Sequence, residues 1–123
     1  MENSGTPRRS VLLVEDDPAN WLTLSAVLEE AGFTVAVAES LPQADQLLEG
    51  QPRYDAVLLD WSLGGTDARE LIPRVRRRVP AAKIVLVSGQ RHAAPPVGVD
   101  AVFQKGAHVD ELLACLERLL RPA

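Results

Sequence analysis

VLLVEDDPAN, residues 11–20, changes character within a single step: four consecutive apolar side chains, then Glu15, Asp16 and Asp17, then a proline. An apolar run with no polar alternation fits a strand covered on both faces, the habit of parallel sheets. The polar break, Pro18, and the periodic Trp21, Leu24, Val27 and Leu28 fit a turn and then an amphipathic helix that stops at Gly32. The stretch reads as the first strand, loop and helix of a βαβ series.

The same alternation runs on along the chain. Residues 33–38 (FTVAVA) form a second strand, and residues 43–48 a short helix closed by Gly50. Residues 56–59 form a third strand that ends on Asp60. A Gly64-Gly65 turn then leads to a third helix over 67–79, stopped by Pro80, with Pro73 early enough in it to be tolerated. Residues 84–87 and 101–103 are the fourth and fifth strands, and 109–120 the last helix. Between those two strands, residues 89–100 hold Pro95, Pro96 and Gly98 without periodicity, so a loop or single turn is expected there, with the fourth helix of the series short or absent. The expectation is an α/β fold with a doubly wound five-stranded parallel sheet and four to five helices. A length of 123 residues suits one compact domain, 9–121, after a flexible segment 1–8.

Composition narrows the function. A hydrophobic content of 46%, near-zero hydropathy and apolar runs far short of the ~20 residues of a membrane span argue against membrane insertion. The polar start lacks the apolar centre of a secretory signal, and the single cysteine, Cys115, sits among leucines at helical spacing as a buried thiol. Both are compatible with a cytoplasmic protein. A net charge of -4 argues against direct nucleic-acid binding as the main role. The one basic run, Arg74 and Arg76 to Arg78, reads as a solvated helix end that complements the macrodipole.

In an open parallel sheet, ligands bind beyond the carboxyl ends of the strands. Those ends carry Glu15-Asp16-Asp17, Asp60, Ser88 and Lys105. Clustered carboxylates repel one another unless a cation intervenes, and hard oxygen ligands suit Mg²⁺. A carboxylate such as Asp60 is also a nucleophile toward phosphorus; Lys105 and Ser88 would then hold phosphoryl oxygens. Taken singly, each residue has a plainer reading: Asp17 as a helix cap, Ser88 as a strand-end hydroxyl, Lys105 as a surface lysine. Their joint placement at four strand ends is what points to chemistry.

The stretches VLLVEDDPAN, DAVLLDWSLGGTDARELI, KIVLVSG and VFQKG, in this order, resemble the receiver domains of two-component response regulators from about Arg9 to Leu120. The resemblance implies a flavodoxin-like fold and a phosphorylation switch, with Asp60 accepting a phosphoryl group from a histidine kinase or phosphotransfer protein. It implies Mg²⁺ held by Asp16, by Glu15 through water, by Asp60 and by the backbone carbonyl of Ser62, with Ser88 and Lys105 as switch and phosphate-binding residues. It implies output through contact with a downstream protein, the domain assisting its own phosphorylation and dephosphorylation rather than acting as an enzyme. Three departures stand out. Gly64 and Gly106 occupy positions where the family usually has proline, Val102 stands where it has a switch aromatic, and the short interval from Ser88 to Lys105 matches a minority subclass with an abbreviated fourth helix. The alternative is a pseudo-receiver that binds partners without phosphorylation. A dehalogenase-like phosphatase would need an aspartate where Ser62 stands, and a dinucleotide enzyme a glycine-rich first turn.

Overall fold

The structure is a computed structural model that describes residues 9–50, 53–63, 66–89 and 94–121, with only the backbone of Thr66 and Asp67. Five strands, β1 (Arg9–Val14), β2 (Phe33–Ala38), β3 (Ala56–Asp60), β4 (Lys83–Ser88) and β5 (Ala101–Gln104), form one parallel sheet in the order β2-β1-β3-β4-β5. Four α-helices connect or follow them: α1 (Pro18–Glu30), α2 (Leu41–Gly50), α3 (Leu71–Arg78) and α4 (Val109–Leu120).

Side chains alternate across a strand, so each buried strand feeds two cores. Val11, Leu13, Ala56, Leu58, Val85 and Val87 pack with Leu24 and Leu28 of α1 and Leu112 and Leu116 of α4. Leu12, Val14, Val57, Leu59, Ile84 and Leu86 pack on the other face with Leu41, Ala44 and Leu48 of α2 and Leu71, Ile72 and Val75 of α3. This is the doubly wound arrangement expected. Its strand order reverses between β1 and β3, which places a crevice beyond the ends of those two strands.

Caps set the helix limits. The Asp17 carboxylate accepts from Ala19 N–H at 3.3 Å with Pro18 at the first helical position, and Gly32, at φ +100°, follows the end of α1. Helix α2 is longer than the sequence pattern implied. The Ser40 hydroxyl accepts from Gln43 N–H at 3.2 Å while the Gln43 side chain accepts from Glu39 N–H at 2.7 Å, a capping arrangement that starts the helix at Leu41.

The third helix differs most. Instead of a continuous helix over 67–79, a two-residue antiparallel ladder joins Ser62–Leu63 to Thr66–Asp67, a 3₁₀ turn covers Ala68–Glu70, and α3 begins only at Leu71. Pro73 explains the delay. Without an N–H it cannot donate to the Arg69 carbonyl, so α-type bonding cannot reach back through the preceding turn. The Gly64-Gly65 turn and the segment 1–8 lie outside the described residues. Between β4 and β5, the described residues 89 and 94–100 contain no helix. That connection is held by Arg76, which donates to the carbonyls of Ala82 at 2.7 Å and Gly98 at 2.8 Å and to the Asp100 carboxylate at 2.7 Å. Asp100 also accepts from Ile84 N–H at 2.8 Å. Burial raises its pKa, but the Ile84 and Arg76 bonds outweigh it and hold the carboxyl below its ordinary range. The arginine run is therefore not merely solvated, because Arg74 and Arg78 also pair with Asp45 and Glu49 of α2. Arg9, at the start of β1, donates from one guanidinium nitrogen to both carboxylate oxygens of Glu117 of α4, at 2.9 and 3.0 Å, and lies 5.4 Å over the Phe33 ring. Cys115 is buried, and burial pushes its thiol pKa up.

Candidate functional site

Four of the five strands, β1, β3, β4 and β5, bring polar residues to the same edge of the sheet. Backbone bonds carry the ladder past the strand ends: Glu15 N–H donates to Ala38 O at 2.9 Å, Trp61 N–H to Val87 O at 2.9 Å and Lys105 N–H to Ser88 O at 2.8 Å. These bonds fix the backbone of the residues that follow the strands.

Glu15 and Asp60 are 1% and 2% exposed, and Asp16 is half-buried. Carboxylate oxygens of the three lie within 4.8 Å of one another. Lys105 Nζ stands 3.0 Å from Asp60 Oδ1 and 3.9 Å from Glu15 Oε1. Ser62 N–H donates to the same Asp60 oxygen at 3.1 Å, and Asp17 N–H donates to Glu15 Oε2 at 3.1 Å. Burial, together with the hydrogen bond and charge of Asp60, drives the Glu15 pKa from 4.5 up to about 7, against the opposing pull of Asp17 N–H and Lys105. Burial works against the Lys105 ammonium, yet the hydrogen bond and charge of Asp60, with Glu15 and Asp16, outweigh it and raise its pKa above the ordinary lysine value.

One ammonium beside three carboxylates leaves the cluster short of positive charge, and Asp60 adds to the effect of burial on Glu15. A hard divalent cation fits this donor set. Ser62 meets Asp60 through its N–H, and its side chain is exposed. Ser88 is buried at the end of β4, its carbonyl joined to the Lys105 backbone. The arrangement can therefore present a nucleophilic carboxylate beside a cation-binding pair and a fixed ammonium.

Three features were not read from the sequence. Trp61 packs against the α2/α3 core with the Arg69 guanidinium 5.7 Å over its ring. Asp17, besides capping α1 as expected, donates its N–H to the Glu15 carboxylate. A cavity of about 260 Å³ opens beside Glu15 and Lys105, against α1. The spacing of Asn20 and Thr23, three apart on one helix side, was the available hint of it. As strand alternation requires, Val102 packs with the α2/α3 face and Phe103 with the α1/α4 face.

The response regulator receiver domain family matches residues 11–117. The chain is 36% identical over 113 residues to the alginate biosynthesis transcriptional regulatory protein AlgB of Pseudomonas aeruginosa, covering 92% of this chain and 24% of that one. It is 33% identical to the transcriptional regulatory protein TcrA of Mycobacterium tuberculosis over 116 residues, 90% of this chain and 46% of the relative. The chain thus spans less than half the length of these curated relatives. Among solved structures it resembles the response regulator TrrA of Thermotoga maritima in complex with Mg²⁺–BeF, with 27% identity, a TM-score of 0.80 and coverage of 91% of this chain and 99% of that one. It also resembles a response regulator of Burkholderia pseudomallei with a phosphorylated aspartic acid, calcium ion and citrate, with 26% identity, a TM-score of 0.79 and coverage of 88% and 66%.

Proposed function

The chain belongs to the response regulator receiver domain family, and on that premise we propose that it is a phosphorylation-dependent signalling switch with Asp60 as its acceptor. The observation that carries this reading is the buried Asp60 carboxylate at the end of β3, 3.0 Å from Lys105 Nζ and clustered with Glu15 and Asp16. A carboxylate so placed has both a nucleophilic oxygen and a fixed cation for the charge that develops on a transferring phosphoryl group.

In the proposed step an Asp60 oxygen attacks the donor phosphorus, an O–P bond forms and the bond to the donor's leaving atom breaks. Lys105 holds one phosphoryl oxygen as an ion pair, and the Ser88 hydroxyl donates to another. Ser62 N–H keeps Asp60 oriented through Oδ1. Glu15, Asp16 and Asp60, with the Ser62 carbonyl, would hold Mg²⁺, which when bound supplies further neutralisation of phosphoryl charge. The Mg²⁺–BeF complex of TrrA and the phosphorylated aspartate of the Burkholderia protein support the reading by similarity.

The donor is a histidine kinase or phosphotransfer protein, the output is contact with a downstream protein target, and the domain works in the cytoplasm as an acceptor rather than as an enzyme. Among the described residues no helix is long and apolar enough to cross a membrane. The test is incubation with phosphoramidate and Mg²⁺ followed by intact-mass measurement. The wild type gains one phosphoryl group and Asp60→Ala gains none; equal labelling of the two would overturn the assignment.

A further inference from the structure

We propose that Arg69 is a positioning residue for the acceptor site: by stacking on Trp61 it fixes the Ser62 backbone beside Asp60. The inference rests on the proposed Mg²⁺ site of Glu15, Asp16, Asp60 and the Ser62 carbonyl, and adds to it a residue from the 3₁₀ turn that follows.

The setting of Trp61 is the first ground. It stands between the acceptor and Ser62, and its N–H donates to Val87 O at 2.9 Å. Its side chain, one step on from Asp60, falls on the opposite face of the sheet and packs against the α2/α3 core. The guanidinium of Arg69, an exposed residue, lies 5.7 Å over the ring. The residue is thus held by the backbone of β4, by the core and by a cation.

The ladder beyond it is the second. Ser62 pairs with Asp67 and Leu63 with Thr66. Hydrogen-bonded and non-hydrogen-bonded pairs alternate along an antiparallel ladder, and the pair that flanks a two-residue connection is the hydrogen-bonded one. That pair is Leu63 with Thr66, so at Ser62 both the N–H and the C=O turn away from Asp67. The Ser62 N–H accordingly donates to Asp60 Oδ1 at 3.1 Å. In an extended residue the carbonyl points the same way as the N–H, so the Ser62 carbonyl faces the acceptor as well. A ladder of two pairs is too short to hold itself in place. Its anchors are where the chain enters, at Trp61, and where it leaves, in the turn Ala68–Glu70. Arg69 over Trp61 ties these two ends together, with Ser62 inside the closed segment.

Positioning and charge predict opposite signs. If Arg69 acted only as a positive charge, removing it would strengthen Mg²⁺ binding; if it orients Ser62, removing it weakens binding. The experiment measures solvent exchange of the Ser62 amide by NMR without metal, and the Mg²⁺ dissociation constant by calorimetry. Arg69→Met keeps the stem of the side chain and loses the cation. It should speed Ser62 exchange and raise the dissociation constant, each roughly two- to fivefold, the range of a cation–π contact at an exposed site. Arg69→Lys keeps a cation for the ring and should lie nearer the wild type in both. In a Trp61→Leu background Arg69→Met should change neither, because its partner is already gone. A persisting effect there would overturn the stack as the route. Unchanged Ser62 exchange or tighter Mg²⁺ binding in Arg69→Met would overturn the positioning role and leave the metal site standing. Absence of Mg²⁺ binding by the wild type would overturn the metal site and this inference with it.

Discussion

Glu15 makes the stability of the metal-free protein pH-dependent in an unusual direction. Its carboxyl titrates near 7 when folded and near 4.5 when exposed, so between those values the folded chain keeps a proton that the unfolded chain has lost. Raising the pH through that window therefore destabilises the fold. A gap of about 2.5 pH units at 1.36 kcal/mol each amounts to roughly 3 kcal/mol, a large share of the 5–15 kcal/mol that holds an ordinary domain together. Urea denaturation in EDTA from pH 5 to 8 measures it, with Glu15→Gln as the reference because the amide stays neutral. Part of this is already lost at pH 5, so the wild type should lose about 2–3 kcal/mol relative to the variant across this range, and Mg²⁺ should remove most of that loss by stabilising the ionised carboxylate. Parallel pH profiles for the two proteins in EDTA would refute the claim that burial beside Asp60 raises the Glu15 pKa.

Other substitutions probe the scaffold. Arg76→Ala removes bonds to Ala82, Gly98 and Asp100 together, and urea denaturation should show a loss of about 1–3 kcal/mol. Gly98→Ala should cost about 1–3 kcal/mol by the same measurement, because φ is +88° and the new Cβ would stand 2.8 Å from Ile72 Cγ2. Leu58→Ala, at a fully buried position of the central strand, should lower stability by about 2–5 kcal/mol in thermal or chemical unfolding. Mg²⁺ should change the fluorescence of Trp61, which adjoins Asp60, and Asp16→Ala should abolish the change; an unaltered titration in that variant would rule out Asp16 as a ligand.

The strands were readable because β1, β3 and β4 are apolar at consecutive positions, a pattern that only burial on both faces explains. Their ends were read a residue or two short. Arg9, Lys83 and Gln104 join the ladder through backbone groups, which side-chain polarity does not reveal. The start of α3 was misplaced because one proline decides it, and periodicity is blind to a single missing N–H. At the site, Glu15, Asp16, Asp60 and Lys105 converge as expected, since the end of a parallel strand is an address that the sequence states openly. The cavity was not legible. It depends on the absence of bulk at Gly106 and Ala107, which leaves no positive mark in the chain. The pairing of Arg74 and Arg78 with Asp45 and Glu49 escaped for a similar reason: each pair of charges repeats at helical spacing, but only the packed fold sets one against the other.

The bond between Arg9 and Glu117 brings the first residue of β1 beside the last turn of α4, at the end of the sheet opposite Asp60. That proximity makes the domain a candidate for circular permutation, because a short flexible linker could join residue 121 back to residue 9 without crossing the acceptor edge. New ends could be opened at Val97, which is 98% exposed in the connection between β4 and β5. In the permuted chain β5 and α4 would be synthesised first and β4 last. The β4–β5 connection would be cut, leaving the residues that Arg76 grips near the new termini while the order of strands in the sheet stayed the same.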